Sequence, residues 1–159
     1  MSADRETTKK IYQKLLDDLA PHEVTPPAEY RIIKRRTYSP GECHLRAYLY
    51  IMGLDEKTAQ RARYVRGYYR DETLPPELIQ RHILDKGHSW IEIPGNIVYD
   101  GVLKRFYNAA GYYHVKNVEK NKEYSRHEVN DLILKGQALG QHIDPFYIEH
   151  LLSESEGKA

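Results

Sequence analysis

Cys43, His88 and Asp100 are the residue types in this 159-residue chain that could do covalent chemistry together. Cys43 is the only cysteine and opens the segment CHLRAYLYIMG. Leu45, Leu49 and Met52 there recur at helical spacing, and Gly53 is a natural stop. A thiol in the first turn of a helix faces unpaired backbone N–H groups and the positive dipole end, both of which favour the nucleophilic thiolate. The turn Ser39-Pro40-Gly41 would present it at a bend. A lone cysteine is also commonly a small buried hydrophobe, so position alone leaves both readings open.

His88 and Asp100 lie in KGHSWIEIPGNIVYDG, residues 86–101, two short strands around a tight turn. Strand alternation puts His88, Trp90 and Glu92 on one face and Ser89, Ile91 and Ile93 on the other. Turn length decides where Asp100 points. A two-residue turn, Pro94-Gly95, sets Asp100 opposite Ser89 and away from His88. A three-residue turn, Pro94-Gly95-Asn96, sets it opposite Trp90 and diagonal to His88 on the same face. Asn96 suits the left-handed position such a turn needs. A Cys–His pair with a carboxylate behind the imidazole follows the logic of nucleophilic acyl transfer.

The surrounding elements would have to position these groups. Residues 4–19 predict an amphipathic helix with Ile11, Leu15 and Leu19 on one face, Tyr12 and Leu16 beside it, and Pro21 as its stop. RIIKRRTYSPGE, residues 31–42, begins as a short strand and ends in the Ser39-Pro40-Gly41 turn, and the basic run 34–36 reads as a solvated loop or docking patch. Residues 61–70, RARYVRGYYR, alternate and predict a strand. LIQRHILDKG could be helix or strand. Residues 111–118, GYYHVKNV, predict a third strand. Ser125 and Glu128 form a capping-box pattern opening a helix with Val129, Leu132, Ile133 and Leu139 on its apolar face. Asp144-Pro145 starts another with Ile148, Leu151 and Leu152, and the tail SESEGKA is expected to fray. Helices, then antiparallel strands, then helices indicate an α+β fold. The expected organisation is one domain over 1–159, with a core at about 30–118, an N-terminal helix 4–19 and a C-terminal helical extension 125–152.

Composition narrows the function. Net charge is +1, and the arginines of RARYVRGYYR split between two strand faces, so nucleic-acid binding is disfavoured. No apolar run approaches the roughly 20 residues that span a bilayer, and the N-terminus lacks a secretory h-region. With one cysteine no intrachain disulfide can form, which points to the reducing cytoplasm. His44, His82, His88 and His114 match no strong metal spacing, so no metal and no cofactor are expected. With 14 Tyr against 2 Phe, much of the aromatic core is tyrosine, and each buried hydroxyl needs a partner.

The order of Cys43 opening a helix, then ARYVRGYY, then HSWIEI, then a strand ending VYD resembles the transglutaminase-like branch of the papain-like cysteine enzymes. Residues 62–68 and 88–92 carry the resemblance most closely, and it covers about residues 38–118. It implies a nucleophile helix packed on an antiparallel sheet, flanked here by N- and C-terminal helices. It also implies a Cys43–His88–Asp100 triad acting on a peptide or protein substrate: peptide or amide hydrolysis, glutamine deamidation or cross-linking. A catalytically inactive binding module of the same fold is the other outcome it allows. The backbone N–H of Cys43 would supply one oxyanion donor, with Tyr38, backed by Tyr30, as candidate for the second and Trp90 shielding the site. Departures are KTAQR in place of Gly-Ile-Pro before the Ala-Arg strand, His44 directly after the cysteine, and GVLKRFY after Asp100. The chain also lacks the added β-domains and calcium loops of animal cross-linking enzymes, which makes cross-linking the lesser expectation.

Overall fold

The computed structural model describes residues 2–32 and 38–157; the basic run 34–36 and the rest of the strand expected there lie outside them. It is an α+β fold built on one antiparallel sheet. The strands are β1 (Arg63–Tyr69), β2 (Gly87–Ile93), β3 (Ile97–Asp100), β4 (Arg105–Asn108) and β5 (Val118–Tyr124), in spatial order β4-β3-β2-β1-β5. The helices are α1 (Ser2–Leu19), α2 (Cys43–Gly53), α3 (Glu56–Ala59), α4 (Ile79–Asp85), α5 (Ala109–Lys116), α6 (Arg126–Ala138) and α7 (Pro145–Gly157).

Alternation along the strands makes two apolar cores, one per sheet face. Tyr64, Ile91, Tyr99 and Phe106 point to the first, closed by Ala47 and Ile51 of α2, Val129 and Ile133 of α6 and Ile148 of α7. Val65, Trp90, Val98 and Tyr107 point to the second, closed by Leu19 of α1 and Tyr112 of α5. Core residues therefore run from Leu19 to Ile148, beyond the expected limits of 30–118. The buried stripe of α1 is Tyr12, Leu15, Leu16 and Leu19, whereas Ile11 is exposed. Around the first core, Tyr30 donates its hydroxyl to Thr58 O, Tyr48 to Asn130 and Tyr50 to Tyr30 O.

Three expectations need correction. Residues 111–118 are not a strand. Asn108 caps α5 by accepting from the Gly111 N–H, and Asn117 ends it in the left-handed conformation. The β-forming tyrosines are overridden because a helix there directs Tyr112 into the second core. The remaining strands, β4 and β5, come from RFYN and the polar VEKNKEY. The tail does not fray at residue 153, since α7 continues to Gly157 with His150 and Glu154 paired at i, i+4. Leu139 is exposed and serves as the C-cap of α6. The Ser125–Glu128 capping box is present as read, and 79–85 resolves as helix.

Gly67 ties the sheet to the site. A Cβ there would run into the indole of Trp90 and the carbonyl of Glu119, so only glycine lets Trp90 lie flat across β1. This is a physical reason for a Gly on one strand and a Trp on its neighbour. Gly67→Ala should destabilise the fold by about 1–3 kcal/mol, the usual range for overpacking. Urea unfolding with Trp90 fluorescence would read this as a lower midpoint at unchanged slope.

Candidate active site

The hairpin register settles the direction of Asp100. Ile93 pairs with Ile97 and Ile91 with Tyr99, so the turn is Pro94-Gly95-Asn96. Asn96 is left-handed at φ 57°. Asp100 thus shares the His88 face, at the point where β3 ends and β2 begins. Gly101 follows, and a Cβ on it would come within 2.6 Å of the Arg46 Cβ, so the chain there passes directly beneath α2. This brings the first turn of α2 to the same end of the sheet. Cys43 packs with the second core, although Ala47 and Ile51 of the same helix belong to the first.

His88 and Asp100 meet through a residue the sequence reading did not select. Tyr112 donates its hydroxyl to Asp100 Oδ2 at 2.6 Å, and the same oxygen lies 2.8 Å from His88 Nε2. The direct His88 Nε2 to Asp100 Oδ2 separation is 3.9 Å. Tyr112 has one proton and gives it to the carboxylate, so its oxygen must accept from His88. His88 is therefore the Nε2–H tautomer, with the lone pair on Nδ1. Asp100 Oδ1 accepts from the Leu103 N–H at 2.9 Å, which fixes the carboxylate.

Of the two readings of Cys43, burial favours the neutral thiol. Burial pushes the Cys43 thiol above its ordinary value, and Asp100 and Asp144 push the same way. Backbone hydrogen bonds from Ser89 and His44 oppose this without overcoming it. The reason is desolvation, which here outweighs the helix-end dipole. Burial likewise drives His88 well below the usual imidazole value, helped by the positive charges of Lys116 and Arg66. At rest the Cys43 thiol and the His88 imidazole are thus both neutral. Lys116 is itself disfavoured by burial, but the charge of Asp100 and its bond to Tyr69 raise it, so it stays an ammonium.

An aromatic wall encloses the imidazole. Tyr69 and Trp90 have ring centres 5.3 and 5.5 Å from it. Trp90 is fully buried, as expected of a shield, and its indole N–H donates to Glu92 at 2.9 Å. Tyr38 is stacked on Tyr12 of α1 at 4.4 Å, so its ring packs under the N-terminal helix. Tyr30 is in the first core with its hydroxyl committed to Thr58 O, which removes it as an oxyanion donor. Tyr12 also lies close enough to Cys43, Asp100 and Lys116 to feel their charges. Helix α1 therefore roofs the site. Tyr112 was missed because its segment was read as a strand; the Asn108 cap was the available signal.

Comparison of the chain with protein-family models, curated proteins and solved structures found no match. No helix among the described residues is long and apolar enough to cross a membrane.

Two outcomes follow from this geometry. Both His88 and His44 have folded pKa values below the unfolded value of 6.5. The unfolded chain then binds more protons below that pH, so stability falls as pH drops through 6.5 and levels off below the folded values. The slope is at most about 1.4 kcal/mol per pH unit for each histidine. Urea titrations from pH 8 to pH 5 should record this loss, and it should shrink in His88→Gln. Tyr12→Ala should open the roof and speed iodoacetamide modification of Cys43 severalfold, followed by mass spectrometry.

Proposed function

We propose that this chain is a transglutaminase-like cysteine enzyme of the papain-like type, working in a reducing cytoplasm. Its reaction is hydrolysis of a peptide or amide bond in a peptide or protein substrate through an acyl-enzyme on Cys43. The observation that carries the reading is the buried Asp100–Tyr112–His88 hydrogen-bond chain, with Cys43 in the first turn of α2 close enough to feel the Asp100 charge.

The chain's residues support a general-base route rather than a preformed ion pair. Nδ1 of neutral His88 takes the thiol proton as Cys43 Sγ bonds to the substrate carbonyl carbon. The imidazolium that forms is stabilised by Asp100 through the Tyr112 hydroxyl. Collapse of the tetrahedral adduct breaks the C–N bond, and His88 gives its proton to the departing amine. Water then attacks the thioester, with His88 as base, and the carboxylic acid and free Cys43 are released. Attack by a lysine amine instead of water would give cross-linking, and a glutamine side chain as acyl donor would give deamidation. The Cys43 backbone N–H is the natural first oxyanion donor. Tyr38 would need to leave Tyr12 to act as the second.

A second reading, a catalytically silent binding module, is favoured by one observation: His88 is 3% exposed beneath α1. Trapping separates the two. Wild-type protein incubated with peptide thioesters should carry an acyl adduct on Cys43 by intact mass, and Cys43→Ala none. His88→Ala should lower the acylation rate by about 100- to 10,000-fold, the usual range for a general base. Tyr112→Phe should lower it less, by about tenfold, because Asp100 keeps its charge but loses its bridge. Absence of any adduct on wild-type protein would leave the binding module as the better account.

A further inference from the structure

Cys43 and His88 are each followed by a residue that turns to the other side, and those two residues also meet. His44 Nδ1 lies 2.6 Å from Ser89 Oγ. Strand alternation puts Ser89 on the first-core face when His88 faces the second. The dipeptides Cys43-His44 and His88-Ser89 are therefore joined on one side by a short hydrogen bond and carry the proposed nucleophile and base on the other.

The bond is anchored from behind. His44 Nε2 is 3.6 Å from Asp144 Oδ2, too long for a hydrogen bond but close enough for the carboxylate to favour the proton on Nε2. Asp144 Oδ2 also takes Arg66 at 2.9 Å, while Oδ1 accepts the Phe146 N–H at 3.0 Å and caps α7. Arg66 is fully buried and donates to the carbonyls of Ile83 and Leu84 at the end of α4. The Tyr64 hydroxyl reaches the His44 carbonyl at 2.9 Å, a second tie on the same turn of α2. In space Ser89, His44 and Asp144 follow one another as serine, histidine and aspartate do in a serine hydrolase, yet Ser89 is 1% exposed and sealed in the core. Its hydroxyl holds α2 to β2; it has no route to a substrate.

We infer that His44 and Ser89, backed by Asp144 and Arg66, are positioning residues that fix the separation of Cys43 and His88. The inference rests on the cysteine-enzyme reading above. A fixed separation matters because misplacement of reacting groups by about 1 Å can cost about 100-fold. The groups facing Cys43 and His88 are Asp100, Tyr112, Tyr69, Lys116 and Tyr12 from the α1 side, and Asp144 and Arg66 from the other. None of the first set touches the His44–Ser89 bond, so its removal leaves the Asp100–Tyr112–His88 chain intact.

The test is the acylation burst of the full chain with p-nitrophenyl acetate, followed by p-nitrophenolate release across pH 5 to 9. His44→Ala and Ser89→Ala should each slow the burst about tenfold, and the double variant no further, because both remove one bond. His44→Asn, whose side-chain amide sits where Nδ1 does and can still bond Ser89, should recover to within about threefold with the wild-type pH profile. Thermal unfolding of His44→Asn, His44→Ala and Ser89→Ala should show that the variants compared are folded. Bursts unchanged in both single variants, or effects that multiply in the double, would overturn the inference. If His88→Ala slows the burst and His44→Ala does not, only the positioning role is lost. If His88→Ala leaves it unchanged, the Cys43–His88 reading itself fails and this inference falls with it.

Discussion

An ionised carboxylate taken out of water costs several kcal/mol unless its lone pairs are met by donors. Asp100 is 1% exposed, and the second core is arranged around that need. The Leu103 N–H meets one oxygen and the Tyr112 hydroxyl the other. The ammonium of Lys116 supplies the opposing charge. Helix α5 runs between its caps Asn108 and Asn117, so Tyr112 bonds the carboxylate while Lys116, four residues on along the same face, is near enough to feel its charge. The three-residue hairpin turn, with left-handed Asn96, brings Asp100 to that face at all. His88 then takes what remains of Tyr112, the lone pair of its oxygen.

Desolvation sets the character of the site. The same burial that makes the Asp100–Tyr112–His88 bonds strong keeps both His88 and Cys43 uncharged. Tyr12, Leu15 and Leu16 of α1 pack against the second core. On the opposite face a separate ionic system, Asp144 with buried Arg66, ties α7, β1 and the end of α4 together. The sheet thus carries one buried charge cluster on each side, with the dipeptides Cys43-His44 and His88-Ser89 between them.

The parts of this arrangement that were legible in the sequence are those fixed by local rules. Helix α2 announced itself by apolar spacing and Gly53, and α6 by Ser125 and Glu128. The hairpin could be read to within one residue of turn length, and Asn96 was the residue that decided it. What could not be read depended on burial. GYYHVKNV has the composition of a strand, and only packing makes it a helix. β5 is hidden because its edge position lets five charged or polar side chains, Glu119 to Glu123, replace an alternating apolar pattern. Cys43 was located correctly, but its thiol is governed by desolvation, which no spacing reports. His44 stood out only as a departure from a familiar pattern, and its bond to Ser89 needed the fold.

Tyr112 fixes His88 as a neutral base with its lone pair on Nδ1. Long-range ¹⁵N–¹H correlation spectra of the imidazole at neutral pH test this directly, with His88→Gln identifying the resonance. The account predicts a neutral ring protonated at Nε2, with an unprotonated Nδ1 shift. An imidazolium pattern, or a neutral ring protonated at Nδ1, would contradict it.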